Sequence, residues 1–311
     1  MIKVNKGKVG KPETVSMSYL FQILVNGLHN GFLYGLLAYS YVLLNQVVQR
    51  PNLAHGAFFA FSGQIVVLGA TLGYNALIFT FASSIAFGIG AAALLSGIVL
   101  SVFALIIVPR FRDQSPNMMI VATLALAIIL MEAVRIGASG RDFWLPPLSD
   151  VQVRLGLGAS ITLIQAINMG LIMLMLVAAD IVLTMTGAGR AVRAVALDEK
   201  AASLCGINTR RVVISTATAS GVLSCAGGVL ALLHFGNMSF GAGLTYGLKV
   251  LFIAAAGGFS TPRMAALAAF GFGEAEALWD GYLPIIWREV FFYAALAVML
   301  VVKGNARSQS N

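Results

Sequence analysis

The chain has 311 residues, 59% of them hydrophobic and 10% charged, and a formal net charge of +8. Such a composition is too oily and too poor in charge for a soluble globular domain, and it points to a polytopic membrane protein. The positive balance does not imply a nucleic-acid partner: basic residues gather at the ends of apolar runs, where retention of positive charge on the cytoplasmic side explains them.

In chain order, Met1 to Ser16 is polar, with Lys3, Lys6, Lys8 and Lys11, and shows no obvious cleavage site. It reads as a retained tail before a first span, not as a removed signal peptide. Runs free of Asp, Glu, Lys and Arg follow at Tyr19 to Gln49, Pro51 to Pro109, Gln114 to Met131, Leu155 to Ala179, Val212 to Leu248 and Val290 to Val302. Roughly 20 apolar residues cross a bilayer as helix. Lipid offers backbone groups no hydrogen bonds, so helices rather than open sheets must carry these runs. The second run is too long for one span, and Leu72-Gly73-Tyr74-Asn75 reads as a turn that divides it. The expected fold is an all-α transmembrane bundle of about eight to ten spans, some of them broken. A polar tail over 1–17, a membrane domain over 18–303 and a second tail over 304–311 complete the chain.

Arg110 and Arg112, the group from Arg190 to Arg211, and Lys303 with Arg307 are assigned to the cytoplasm. Counting back from them places the start of the first span outside, despite its four lysines. Either the tail is an exception, or the stretch from Tyr19 to Gln49 is broken and returns to its own side. The segment from Ser139 to Ser160, with Trp144, Pro146 and Pro147, falls outside under either count.

Pro51 marks a break followed by a fresh helix start, whose free N–H groups favour a carboxylate. Asn52 and His55 thereby become candidates for a substrate passage, by the logic of broken helices in transporters. The other reading of His55, which precedes Ala57-Phe58-Phe59-Ala60-Phe61, is a core histidine satisfied by a backbone carbonyl. Gly27, Gly31 and Gly35 permit close helix contact. Glu132 and Arg135 are spaced to pair on one helix, and Asp180 has no evident partner.

The central passage from Thr186 to Asn208 is the one strongly charged island. Gly187 and Gly189 weaken the preceding helix. From Arg190 onward Ala194, Leu197, Ala201 and Leu204 recur at three- and four-residue spacing, the pattern of a short amphipathic helix whose other side carries Asp198, Glu199 and Lys200. Gly206 suits the left-handed position that ends such a helix, with Ile207 folding back as its apolar contact, and Asn208 or Thr209 caps the next helix. Farther on, Lys249 sits in an apolar stretch, and Glu274, Glu276 and Asp280 cluster in a later one. Buried charges are costly and usually have a reason. For Lys249 and Glu276 two reasons stand side by side: a pair that ties two helices, or a role in transport.

The pattern Arg190-x-x-Arg193, then Asp198-Glu199-x-Ala201-Ala202-x-x-x-Gly206-Ile207-Asn208, closely resembles the coupling loop of ABC importer permeases, most of all the H-type inner-membrane permease of high-affinity branched-chain amino acid importers. Asn52-Leu53-Ala54-His55-Gly56 is similar to that family's Asn-Phe-Ala-His-Gly, and Gly247-x-Lys249 and Gly273-Glu274-Ala275-Glu276-Ala277-Leu278 fall where it has Gly-x-Lys and Gly-Ile-Ala-Glu-Ala-Leu. The likeness covers nearly the whole chain after about residue 20. Its glycine-rich turn differs: Ala256-Gly257-Gly258-Phe259-Ser260-Thr261-Pro262-Arg263 carries Phe259 and Arg263 where the family has glycines, and Ala57 replaces a common acidic residue. These departures bear on the substrate more than on the fold.

The resemblance implies a multi-pass inner-membrane permease subunit that moves a small organic solute, amino acids first, with energy from ATP hydrolysed elsewhere. Its implied partners are a second homologous permease, two cytoplasmic ATP-binding subunits, a periplasmic or extracellular solute-binding protein and membrane lipid. ATPase coupling falls to Arg193, Asp198, Glu199, Ala202 and Gly206, and the passage to Asn52, His55, Lys249 and Glu276. No GxxxxGK[ST] phosphate loop occurs, so the chain is not expected to hydrolyse ATP itself. The three histidines and two cysteines lack metal-site spacing, the cysteines read as small apolar fillers, and no cofactor is expected. The rival reading is a secondary transporter driven by an ion gradient, with Glu276 and Asp280 as relay. A membrane enzyme would need clustered nucleophile, base or metal ligands that the sequence does not offer.

Overall fold

The computed structural model describes residues 17–111, 114–149, 151–156, 159–259, 261–295 and 298. The expected tails, apart from Met17, and the cations Arg112, Lys303 and Arg307 lie outside these residues. Helix α1 runs unbroken from Met17 to Val48, and its 32 residues span about 48 Å. Gln49 takes a positive φ, Pro51 has no N–H to continue a helix, and α2 begins afresh at His55 and runs to Asn75. Leu72 to Asn75 is therefore helical rather than a turn. The chain reverses just beyond it, at Ala76 to Thr80, where Thr80 caps α3 by accepting from Ser83 N. Helix α3 (Phe81–Val102) passes through a widened turn at Phe103–Ile107 into the short α4 (Val108–Phe111).

Helix α5 (Pro116–Gly137) rises from the far side, and the outer segment contains a small antiparallel hairpin, β1 (Gln152–Gly156) with β2 (Ala159–Thr162). Sequence periodicity missed this hairpin, whose strands are too short to stand out from a polar loop. Helix α6 (Leu163–Met185) returns to the elements α7 (Gly187–Leu197) and α8 (Glu199–Leu204), followed by α9 (Thr209–Phe235). Helices α10 (Ala242–Gly257) and α11 (Pro262–Tyr282) form a pair bent by 115°.

Among the described residues six helices are long and apolar enough to cross a membrane, or seven if the bent pair counts as one span. This is fewer than the eight to ten expected. The last apolar run, Val290 to Val302, lies partly outside the described residues.

The largely buried helices α1 and α2 form the centre. The α1 helix lies along α11 and crosses α9, while α2 is enclosed by α3, α9, α10 and α5. By contrast α3, α5 and α6 present Leu94, Ile98, Ile129 and Leu174 outward, as helices facing lipid should. Sidedness follows from two contacts. At one end of α1 the Gln22 amide clamps the backbone of Ser160 in β2, accepting from its N–H at 2.9 Å and donating to its carbonyl at 3.0 Å. At the other end Gln49 Nε2 donates to Ala196 O in α7. An unbroken α1 thus starts on the hairpin side and ends on the side of α7. The alternative of a broken first run is overturned.

Small residues permit the α1–α11 seam. Gly31 lies directly against Gly273, and a Cβ placed on Gly273 would overlap the Gly31 backbone, whereas the exposed Gly271, two positions away, meets nothing within 4 Å. Without a hydrophobic drive between helices in lipid, such close backbone approach is what holds them together. Gly273→Val should therefore destabilise the bundle by about 1–3 kcal/mol, and Gly271→Val should be nearly neutral. Thermal unfolding of the two variants in detergent micelles measures the difference.

Candidate functional site

The charged island is an elbow of two short helices, not one. Thr186 ends α6 and caps α7, donating to Val182 O at 2.6 Å and accepting from Gly189 N at 3.2 Å. Arg193 folds back onto the carbonyls of Leu183 and Thr184, satisfying C-terminal acceptors of α6 that no helical N–H reaches. Asp198, with φ at −153°, breaks the run, and its carboxylate caps α8 by accepting from Ala201 N at 3.0 Å. The expected continuous helix is thereby corrected: an aspartate that serves as N-cap competes with helix continuation.

The far end of the elbow matches the expectation. Gly206 has φ +82°, Ile207 N donates to Ala202 O, and Asn208 caps α9 by accepting from Arg211 N at 2.9 Å. The buried face, however, is made by Val192, Val195 and Ala202, while the periodicity-derived Leu197 and Leu204 are 88% and 90% exposed. The break at Asp198 rotates α8 relative to α7, so a stripe projected through it does not stay on one face. Cys205 in this elbow is exposed rather than a buried filler, unlike Cys225.

The second cluster lies at the α1–α2 break. Asn52 is buried and its side-chain carbonyl accepts from Ala54 N at 3.0 Å, while Thr123 of α5 accepts from Leu53 N. His55 is 1% exposed, with Nε2 2.9 Å from Ser40 Oγ. Ser40 Oγ donates to Leu37 O at 2.9 Å. That leaves His55 Nδ1, Asn52 Nδ2 and Tyr41 Oη as buried polar atoms without a partner among the described residues. Gly56, next in the motif, packs against Gly243 and Gly247 of α10. The Asn52–Gly56 and Gly247-x-Lys249 motifs, far apart in sequence, therefore meet.

Lys249 and Glu276 do pair, Nζ to Oε1 at 2.6 Å and both buried, but as part of a larger lock. Lys249 also reaches Glu289 at 3.0 Å, Tyr34 Oη donates to Glu276 Oε2 at 2.5 Å, and Arg288 joins Asp280 at 2.7 Å, Glu289 at 3.1 Å and Glu276 at 3.4 Å. Four stretches of chain, α1, α10, α11 and the helical residues 288–295, contribute to it. Tyr34, Arg288 and Glu289 were missed from sequence. The Arg288-Glu289 pair just before the last apolar run was its one available signal.

Asp180 also finds its partner, a two-pronged ion pair with Arg263 at 2.6 Å on each prong, which joins α6 to the start of α11. Glu132 and Arg135 pair at 3.1 Å as expected.

This fold, a helical bundle with charges locked inside it and an elbow at one face, defines the class: a multi-pass membrane protein. Over residues 23–302 the chain matches the family described as Branched-chain amino acid transport system / permease component, and it belongs to that family. It is therefore an inner-membrane protein of the amino acid transport permeases. It is 29% identical to the high-affinity branched-chain amino acid transport system permease protein LivH of Salmonella typhimurium, over 91% of this chain and 94% of that one. Identity to LivH of Escherichia coli K12 is 28% over the same shares, and to BraD of Pseudomonas aeruginosa 25% over 92% and 94%. No solved structure matches the chain.

A buried ion pair loses far more when one partner is removed than when both are replaced by apolar groups. Lys249→Met should cost the bundle about 3 kcal/mol or more, and adding Glu276→Leu should recover much of that loss. Thermal unfolding of the single and double variants in detergent checks both.

Proposed function

We propose that the chain is the membrane-spanning permease subunit of a binding-protein-dependent ABC importer, with two ATP-binding subunits gripping the α7–α8 elbow. The observation that carries this reading is the elbow itself. It is capped at every turn and anchored through Val192, Val195 and Ala202, yet it holds Leu197 and Leu204 out from the body of the protein. Burying a leucine is worth about 1.5–3 kcal/mol, so two leucines on a rigid elbow are ready-made anchors for a partner's apolar cleft. Arg193 and Asp198 set the elbow's angle, and Gly206 and Asn208 join it stiffly to α9. A push from ATPases that close on ATP would then reach α6 and α9 as rigid rods.

The passage is assigned to the region around α10, between the unpartnered groups of Asn52 and His55 and the lock of Lys249 and Glu276. A zwitterionic amino acid carries a carboxylate for the N–H and amide donors at the α2 start, and an ammonium that can compete for Glu276. Branched-chain amino acids are the proposed substrates, since the related permeases carry that name. A second, homologous permease would complete the pathway, and a periplasmic solute-binding protein would dock on the hairpin side. The ion-gradient alternative is disfavoured by the lock, in which Glu276 and Asp280 are already held by cations.

Leu197→Ser with Leu204→Ser should abolish co-purification of the ATP-binding subunits and reduce ATP-driven uptake in proteoliposomes at least about tenfold, corresponding to 1.4 kcal/mol or more of docking energy. Gly206→Val, which cannot hold the left-handed cap without strain, should do the same. Undiminished ATP-driven uptake in both variants would refute the coupling assignment.

A further inference from the structure

Beside the elbow lies a groove of about 490 Å³ that the transport reading does not use. Its walls are α6, through Met175 and Val182, and α9, through Ala219 and Val222, and its floor is α7, through Gly189 and Val192. The lining is mostly apolar, and of its two hydroxyl residues Ser215 donates to Val212 O at 3.0 Å. Thr216 lines the groove, is 3% exposed, and its hydroxyl has no hydrogen-bond partner among the described residues. Most buried hydroxyls are satisfied, so an orphan in a mostly apolar groove marks the place of an acceptor.

The rim of the same groove is basic. Arg211 lies on the α9 stripe that continues through the lining residues Ser215, Ala219 and Val222, at spacings of four, eight and eleven. On the opposite wall the Arg193 guanidinium bonds the carbonyl of Leu183, itself a lining residue. Neither arginine forms an ion pair among the described residues, and both are exposed on the side of the elbow. Thr216 lies five residues beyond Arg211, a helical rise of roughly 7.5 Å.

An apolar trough, an unpartnered Thr216 hydroxyl one step in from its mouth, and arginines at the mouth that form no ion pair among the described residues match one molecule of the surrounding membrane in order. We infer that the groove holds an anionic glycerophospholipid of the leaflet on the elbow side, its phosphate at Arg211 and Arg193, an ester carbonyl at the Thr216 hydroxyl and an acyl chain between α6 and α9. Because α7 is the floor, the chain of this lipid touches the elbow directly. It fills the space into which the elbow would otherwise tilt, and so stiffens the junction between α6 and α7.

The test uses the full-length protein purified from nanodiscs containing phosphatidylglycerol and phosphatidylcholine in equal amounts, with retained lipid counted by native mass spectrometry. Wild-type protein should keep phosphatidylglycerol in preference to phosphatidylcholine. Arg211→Gln, at an exposed position, should lower that preference roughly fivefold, the effect of one surface arginine on an anionic lipid. Thr216→Val, which preserves shape, should lower retention of phosphatidylglycerol while leaving the fold unchanged by thermal unfolding. Equal retention of the two lipids by wild type, or wild-type retention in both variants, would overturn the inference. So would an efficient crosslink from Ala219→Cys to a second permease in the assembled importer, which would show the groove filled by protein. The lipid count requires neither ATPase nor substrate, so it stands or falls separately from the coupling assignment.

Discussion

Everything in this bundle answers to one constraint: inside a bilayer there is no water to complete a polar group, so each must be completed by the protein. The Lys249–Glu276 lock is its clearest expression. Two cations and three carboxylates from separate stretches of chain are drawn together because none of them can be left alone at that depth. The lock in turn fixes where α10, α11 and residues 288–295 sit against α1. Elsewhere the same constraint acts on single groups. Asn168 in α6 donates to the Leu230 carbonyl of α9, and Ser224 in α9 donates to the His55 carbonyl at the α2 start. Polar side chains in this core therefore act as ties between helices, with glycine contacts setting the spacing that lets them reach.

Against that background the α1–α2 break stands out. Its backbone groups are satisfied by Asn52 and Thr123, but His55 Nδ1, Asn52 Nδ2 and Tyr41 Oη are not. Leaving one buried polar group unpaired costs about 1–3 kcal/mol, and three in one place is a concentration of that cost.

Much of this was legible in the sequence, and the reasons differ by element. The membrane class followed from composition, and the Gly206 and Asn208 caps followed from residue types whose backbone preferences are strong and local. The glycine seam of α1 was visible as a four-residue repeat. What could not be read was anything set by the rotation of one element against another. Leu197 and Leu204 share a projected face with Ala194 and Ala201 only if the helix continues through Asp198, and it does not. Likewise Lys249 and Glu276 were recognisable as buried charges, but Tyr34 and Arg288 became partners only through the fold. Asp180 was unexplained because its partner Arg263 lies 83 residues away, across the bend between α10 and α11.

That last pair gives the molecule a continuous frame. Asp180 lies six residues before Thr186, the corner where α6 turns into the elbow, and Arg263 stands at the first turn of α11. Farther along α11, Glu276 holds the lock. A displacement of the elbow that tilts α6 therefore acts on α11 through an ion pair whose two prongs resist rotation better than a single contact would. The rigid elements and paired charges between elbow and lock are contiguous, which is the physical condition for one end to bias the other. Arg263 thus fastens the bend between α10 and α11 to the helix that leads into the elbow.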